Sequence, residues 1–109
     1  MKPRAILVSY RALVGNKGFL RHFISLITDC IEDSDYADLI IVGEDKEQMA
    51  KMCYNNCIEP NSYIETNSPC YSDVISSLKT KYKTLGIIVA HDDNYEKVNK
   101  RLVTVLVVA

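Results

Sequence analysis

Four runs of apolar, largely β-branched residues constrain the fold of this chain more than any other feature of its sequence. They occupy residues 5–9, 38–43, 85–90 and 103–108, and residues 62–66 are a weaker fifth candidate. The apolar residues are continuous instead of alternating with polar ones, which indicates strands covered on both faces. Strands of this kind are typical of parallel sheets in α/β proteins.

Segments with helical periodicity lie between these runs. The first has apolar residues at the spacing of one helix face, namely Leu20, Phe23, Ile24, Ile27 and Ile31. Residues 45–57 predict a second helix, with Asp45 as its amino-terminal cap and Gln48 three residues later. Its buried residues are expected to be Met49, Met52 and Cys53.

Two further helices complete the predicted alternation. Ser68 and Pro69 read as the cap and first residue of a third helix. That helix would bury Val74, Ile75, Leu78 and Tyr82. Residues 92–101 predict a short, polar fourth helix. The order β-α-β-α-β-α-β-α-β predicts right-handed crossovers and one domain over residues 1–109: an α/β, doubly wound, mostly parallel five-stranded sheet with helices on both faces, Rossmann-like in type.

Composition narrows the function classes. The formal net charge is -1, and no long acidic or basic block is present, so neither a nucleic acid nor a membrane surface is indicated as a partner. The apolar run near the start is too short for a signal peptide, and no stretch approaches the roughly 18 apolar residues of a membrane span. The chain therefore reads as soluble and cytoplasmic.

The four cysteines read as reduced thiols in or near the core. They are Cys30, Cys53, Cys57 and Cys70. Without an export signal, disulfides are not expected. Cys53 and Cys57 lie one helical turn apart, and with only His22 and His91 elsewhere the spacing matches no zinc motif.

The segment from Tyr10 to Gly18, directly after the first strand, is the first candidate site. Ligands of open α/β sheets bind at the carboxyl ends of the strands. Gly15 and Gly18 flank Asn16 and Lys17 just before a helix, so backbone N–H groups and a lysine favour an anion there. The alternative is that the glycines only turn the chain from strand into helix. The pattern is neither a Walker A loop nor a dinucleotide-binding turn.

Other titratable groups have simpler interpretations beside the functional one. His91, Asp92 and Asp93 follow the strand predicted at residues 85–90. They could form a metal-binding or acid–base group. More simply, Asp92 or Asp93 would cap the next helix. His22 lies beside the buried stripe of the first helix, as a satisfied or exposed histidine. The lysines Lys79, Lys81 and Lys83 read as a solvated helix end.

Three stretches, in this order and spacing, resemble the HIGH-motif superfamily of small nucleotidyltransferases, particularly the cytidylyltransferase-like or adenylyltransferase proteins of tailed phages. Residues 11–19 stand at that family's Arg-x4-[Thr/His]-x-Gly-His loop. Residues 44–52 resemble the helix after its second strand. Residues 72–78 and 86–93 resemble its third helix and the strand ending in Gly-Ser-Asp-Arg. The resemblance spans nearly the whole chain.

The resemblance also shows which groups have changed. In that family two side chains, His and His or Thr and His, bind the triphosphate and stabilise the charge on departing pyrophosphate. Here Asn16 can still donate a hydrogen bond, but Phe19 cannot, and loss of one such donor typically costs on the order of 100-fold in rate. The Gly-Ser-Asp-Arg position keeps only Asp92. The loop after the second strand, where that family often carries further basic phosphate ligands, is nearly absent, because Gly43 runs straight into Glu44, Asp45 and Lys46.

The resemblance thus implies a degenerate, non-catalytic nucleotidyltransferase-like domain that acts as a nucleotide-binding or protein-interaction module. Any remaining nucleotide, ATP or CTP with Mg²⁺, would be bound by Arg11, Asn16, Lys17, Gly18 and Asp92.

Two alternatives stay open. One is an active minimal nucleotidyltransferase, in which Asn16, Lys17 and either His22 or His91 replace the lost groups. The other is a virion or assembly component, or an inhibitor of a host protein. In that reading the apolar C-terminal strand, residues 103–108, lies at a sheet edge and pairs in a homo-oligomer or with a partner; otherwise it is an interior strand.

Overall fold

Four parallel strands and one antiparallel edge strand organise the chain. The computed structural model describes residues 3–15, 17–26, 37–67, 71–90 and 103–108. The sheet order is β3-β2-β1-β4-β5. The strands are β1 (Arg4–Ser9), β2 (Asp38–Gly43), β3 (Ser62–Glu65), β4 (Thr84–Ala90) and β5 (Val103–Val108). Each predicted strand is present within one residue of its expected bounds.

The direction of β5 differs from the prediction. A crossover helix between β4 and β5 would make the two strands parallel, but they pair antiparallel, from Leu85 opposite Val108 to Ala90 opposite Val103. A continuous apolar run marks a strand without encoding its direction, and parallel sheets often carry an antiparallel edge strand. β5 lies at the edge of this sheet, so the sequence-based alternative of an interior strand at residues 103–108 is wrong. The predicted fourth helix, residues 92–101, lies outside the described residues.

Four helices are present in the described ranges: α1 (Tyr10–Val14), α2 (Lys17–Leu26), α3 (Lys46–Asn55) and α4 (Ser72–Lys81). The capping role of Asp45 is confirmed, since its carboxylate accepts hydrogen bonds from the backbone N–H groups of Glu47 and Gln48 at 2.9 and 3.3 Å. Ser68 and Pro69, the predicted start of the third helix, lie outside the described residues. That helix, α4, begins at Ser72, after Tyr71 in the left-handed region. None of these helices is long and apolar enough to cross a membrane.

The helices cover both faces of the parallel strands. Successive strand residues point to opposite faces, so Leu7 packs on the face that carries α4, and Val8 packs on the face that carries α1, α2 and α3. The expected core residues Val74, Ile75 and Leu78 of α4 are buried. This division follows from the strand order, because right-handed crossovers that move outward through β2 and β3 and then return to β4 place their helices on opposite faces.

A tyrosine–carboxylate pair closes the amino-terminal edge of the sheet. Asp38 begins β2 and is only 8% exposed. The Tyr82 hydroxyl, just after α4, donates a hydrogen bond to its carboxylate at 2.8 Å. Burial, this hydrogen bond and the nearby carboxylate together raise the pKa of Tyr82 to about 12. The pair thereby links the start of β2 to the end of α4.

Helix α3 ends in a Schellman motif that holds Cys57 in the left-handed region. The Ile58 N–H bonds to the Cys53 carbonyl at 2.9 Å, and the Cys57 N–H bonds to the Tyr54 carbonyl at 3.3 Å. Cys57 has φ 56°, a conformation that glycine adopts without steric cost. A residue with a Cβ, such as cysteine, is therefore sterically strained at position 57.

Replacing Cys57 with glycine is expected to raise the free energy of unfolding by about 0.5–1 kcal/mol, because relief of left-handed strain outweighs the added freedom of the unfolded chain. Urea denaturation measures this change. Cys57→Ala is the matched control: it removes the thiol but keeps the Cβ, and should change stability by less than about 0.5 kcal/mol. Equal gains in both variants would contradict the role given to backbone strain.

Replacing Tyr82 with phenylalanine is expected to lower the free energy of unfolding by about 1–3 kcal/mol, since a buried carboxylate loses its donor. Tyr54→Phe is the control, because Tyr54 is 84% exposed. It should change stability by less than about 0.5 kcal/mol.

The same pair predicts a pH dependence. The raised pKa means that the stabilisation from Tyr82 is complete below the unfolded tyrosine pKa of about 10 and is lost as the pH rises toward about 12. Denaturation at about pH 9 and pH 11 should therefore show a larger loss in the wild type than in Tyr82→Phe. Equal losses of stability in the wild type and in Tyr82→Phe would contradict this role of the Tyr82 hydroxyl.

Candidate functional site

The carboxyl ends of β1 and β4 mark the place where a ligand is expected. The chain leaves β1 toward β2 on one side and later returns to β4 on the other. Crevices at such points hold the ligands of open α/β sheets. Residues 91–102, which follow β4, lie outside the described residues. The described part of the site therefore consists of the segments that follow β1, β2 and β3.

A short helix, α1, follows β1 where the sequence predicted a loop. Ser9 is fully buried, and its Oγ accepts a hydrogen bond from the Ala12 N–H at 3.0 Å. The Gly15 N–H bonds to the Arg11 carbonyl at 2.9 Å at the other end. The backbone N–H groups that a phosphate would need are thus partly used by the chain itself. Residues 10–14 of the candidate segment are therefore helical, because the Ser9 cap starts a helix at once.

Helix α1 also fills space beside the crevice. It contacts β1, β2 and β4. Ala12 and Leu13 are buried, and Leu13 packs with Val8, Ile41 and Ile88. These apolar contacts fix α1 against the second face of the sheet. A ligand at this edge would meet a packed helix where a phosphate-binding protein offers a flexible glycine turn.

Arg11 pairs with an acidic residue from the next strand end. Its guanidinium donates a hydrogen bond to the Glu44 carboxylate at 3.0 Å. Both side chains are well exposed, so the pair contributes less than about 1 kcal/mol to stability. An incoming anion could separate the pair, but it would then lie beside the Glu44 carboxylate. The structure thus places Arg11 at the predicted edge and gives it a protein partner.

The amino terminus of α3 is occupied by the chain's own carboxylates. Asp45 caps the N–H groups of Glu47 and Gln48, and the Glu65 carboxylate accepts from the Lys46 N–H at 3.2 Å. A helix amino terminus attracts anions, and here two carboxylates already satisfy that preference. Glu65 also connects the end of β3 to the start of α3.

A small cavity lies between these groups. Its volume is about 170 Å³, and it is lined by Tyr10, Arg11, Gly43, Glu44, Asp45, Gln48 and Tyr71. Pockets that enclose drug-sized ligands are typically about 300–1,000 Å³. This cavity alone has room for a small polar group, and a larger depression of about 680 Å³ lies beside it, lined by Glu44, Asp45, Lys46, Glu47, Ala50 and Glu65.

The residues predicted to bind a nucleotide are only partly placed by the structure. Arg11 lies in α1, Lys17 is the first residue of α2, and Gly18 is its second. Asn16 and Asp92 lie outside the described residues. So does His91. His22 is exposed on α2.

Three further residues of this edge did not appear among the sequence predictions as site residues: Glu44, Glu65 and Tyr71. Glu44 follows the buried strand β2 directly, and Glu65 ends β3, so their positions after strands were a usable signal. Tyr71 was not predictable. It is buried with φ 55°, a conformation unusual for a bulky residue.

The thiols do not form a metal centre in the described part of the chain. Cys53 is buried and Cys57 is exposed, and no group of three or more potential metal ligands occurs among the described residues. Cys53 and Tyr63 share a side-chain hydrogen bond, and burial raises the pKa of the Cys53 thiol. The buried thiol is therefore a structural group between α3 and β3. Cys30 and Cys70 lie outside the described residues.

Replacing Gly43 with alanine is expected to lower the free energy of unfolding by about 1–3 kcal/mol, because α1 and α3 approach β2 closely there. A Cβ at Gly43 would lie 3.0 Å from both the Tyr10 Cβ and the Met49 Sδ. Gly86→Ala is the matched control, since its Cβ would have ordinary contacts at 3.8 and 3.9 Å. Urea denaturation of both variants measures the difference. Equal stability would show that the edge is not tightly packed.

Comparison with known proteins gave no match: no protein family, no curated protein and no solved structure is similar enough to this chain to assign it to a family.

Proposed function

We propose that this chain is a non-catalytic α/β binding module of the nucleotidyltransferase-like, Rossmann-like type, and that it acts through contacts with a protein and not through nucleotide transfer. The observation that carries the proposal is the self-capped helix α1. The resemblance in sequence would place a phosphate-binding loop at residues 11–19. Residues 10–14 instead form a helix that is capped by Ser9 and packed through Leu13.

The charges at this edge support the same conclusion. Four acidic residues surround it in the described part of the chain, namely Glu44, Asp45, Glu47 and Glu65. The linings of the cavity and of the depression beside it contain two basic residues, Arg11 and Lys46, and Arg11 is already paired with Glu44. A nucleoside triphosphate carries several negative charges, so these carboxylates would raise the free energy of its binding.

A second candidate, a remnant nucleotide site, is favoured by one observation. Helix α2 begins at Lys17, soon after α1 ends at Val14, so a helix amino terminus and the Gly18 backbone are expected near the ligand-binding end of the sheet. ATP or CTP with Mg²⁺ would be the ligand in that case, and Arg11 would leave Glu44 to bind it.

Calorimetry and thermal unfolding with ATP or CTP and Mg²⁺ separate the two candidates. A ligand present at 100 times its dissociation constant stabilises a protein by about 2.7 kcal/mol, which raises the Tm of a domain this size by roughly 10 °C. The proposal expects no heat of binding and no such increase at millimolar nucleotide, and no pyrophosphate release.

A Tm increase that is lost in Arg11→Ala but kept in Arg21→Ala would contradict the proposal and support the remnant site. Arg21 is the matched control because it is exposed on α2, outside the cavity.

A further inference from the structure

A groove lies on the opposite side of the molecule from α1, between the edge strand β3 and helix α4. Its volume is about 300 Å³. Ile64, Val74 and Leu78 form an apolar floor, while Asp73, Ser77 and Lys81 form an exposed polar rim. Apolar floors with polar rims are the usual form of a binding groove.

The edge of β3 leaves backbone groups available beside this groove. β3 pairs in parallel with β2, with Ile40 opposite Ser62 and Val42 opposite Ile64, and it is the last strand on its side of the described sheet. The Thr66 N–H bonds to the Gly43 carbonyl at 2.9 Å, so every second residue before it, Ser62 and Ile64, also turns its N–H toward β2. Tyr63 and Glu65 therefore turn their N–H and C=O groups outward.

An extended peptide can use both features at once. Its main chain would pair with the outward groups of Tyr63 and Glu65, and every second side chain would enter the groove. Edge pairing of this kind gives affinity through the main chain and specificity through alternate side chains.

The charges of Asp73 and Lys81, near opposite ends of α4, favour one orientation of such a peptide relative to β3. α4 connects two parallel strands and so runs antiparallel to them, which puts Asp73 near the carboxyl end of β3 and Lys81 near its amino end. A peptide that runs antiparallel to β3 would place its amino-terminal part near Asp73 and its carboxyl-terminal part near Lys81. A basic residue at the first position and a free carboxylate at the last would then meet opposite charges.

We propose that β3 and α4 form a docking site for an extended peptide with alternating apolar residues, which binds antiparallel to β3 with a basic amino-terminal end and an acidic or free carboxyl-terminal end. This inference names the partner and rests on the proposed role as a protein-binding module. A second copy of the chain fits less well. Among the residues whose exposure is described, Val14 and Tyr54 are the large, strongly exposed apolar ones, and neither lines this groove, while stable dimer interfaces need a larger apolar area.

Titration of the ¹⁵N-labelled full chain with a defined peptide tests the proposal. The probe is acetyl-Lys-Thr-Val-Thr-Val with a free carboxyl terminus, in which Lys and both Val side chains lie on one face. It is added at up to about 2 mM, since a short strand addition should have a dissociation constant on the order of 100 μM. The amide signals of Tyr63 and Glu65 and of the groove residues of α4 should shift. A peptide with Gln in place of Lys and an amidated end should bind about two- to fivefold more weakly at each charge.

A pair of variants at one position isolates the strand edge. Glu65→Pro removes the outward N–H, and Glu65→Ala keeps it, while both lose the carboxylate that contacts Lys46. Binding should be lost in Glu65→Pro and kept in Glu65→Ala, with both variants folded by circular dichroism. Lys81→Ala should weaken binding, and Lys79→Ala, on the same turn but outside the groove, should not.

Three outcomes would overturn the proposal: no shift at the highest peptide concentration, binding that survives Glu65→Pro, or shifts of the β3 amides with protein concentration alone, which would assign the edge to a second copy. These outcomes are independent of the calorimetry and thermal unfolding with nucleotide, in which Arg11 is the residue varied. A nucleotide-dependent Tm increase would support the remnant nucleotide site without any change in the amide signals of β3.

Discussion

The complete burial of β2 is the constraint on which the rest of this structure depends. All six residues from Asp38 to Gly43 are buried, although the strand begins with a carboxylate and ends with a glycine. The middle of the strand requires apolar cover on both faces, and the helices on the two faces supply it. Its two ends then require particular partners: a tyrosine hydroxyl for Asp38, and the close approach of Tyr10 and Met49 for Gly43.

The elements that were predicted well are those whose signal is a buried face. Continuous apolar runs fixed the strands to within one residue, and the cap at Asp45 fixed the start of α3. The elements that were missed depend on contacts that a local pattern does not contain. α1 is too short for a periodic signal, and a continuous apolar run does not encode the antiparallel direction of β5. The left-handed backbone of Tyr71 before α4 has no local sequence signal either.

The sheet edge of the candidate site was predictable from the sequence, but the side-chain contacts at that edge were not. The sheet topology places Arg11, Lys17 and the segment after β2 at one edge, as the strand order alone would indicate. That Arg11 contacts Glu44, and that Glu65 reaches the first turn of α3, could not be read from the sequence, because these pairs join residues 33 and 19 positions apart. The anion site stays a prediction from the sequence, and the contacts show that Arg11 and the first turn of α3 already have carboxylate partners.

The hydrogen bond between Cys53 and Tyr63 has a practical consequence for the dynamics of the domain. The two residues join α3 to the edge strand β3, and the buried thiol can meet a thiol reagent only when these elements separate. Cys57, four residues later and exposed, reacts without such an opening. The exposed Cys57 thus serves as an internal reference: the ratio of the two labelling rates gives the equilibrium of all openings that expose Cys53, local separation of α3 from β3 and unfolding of the whole chain together.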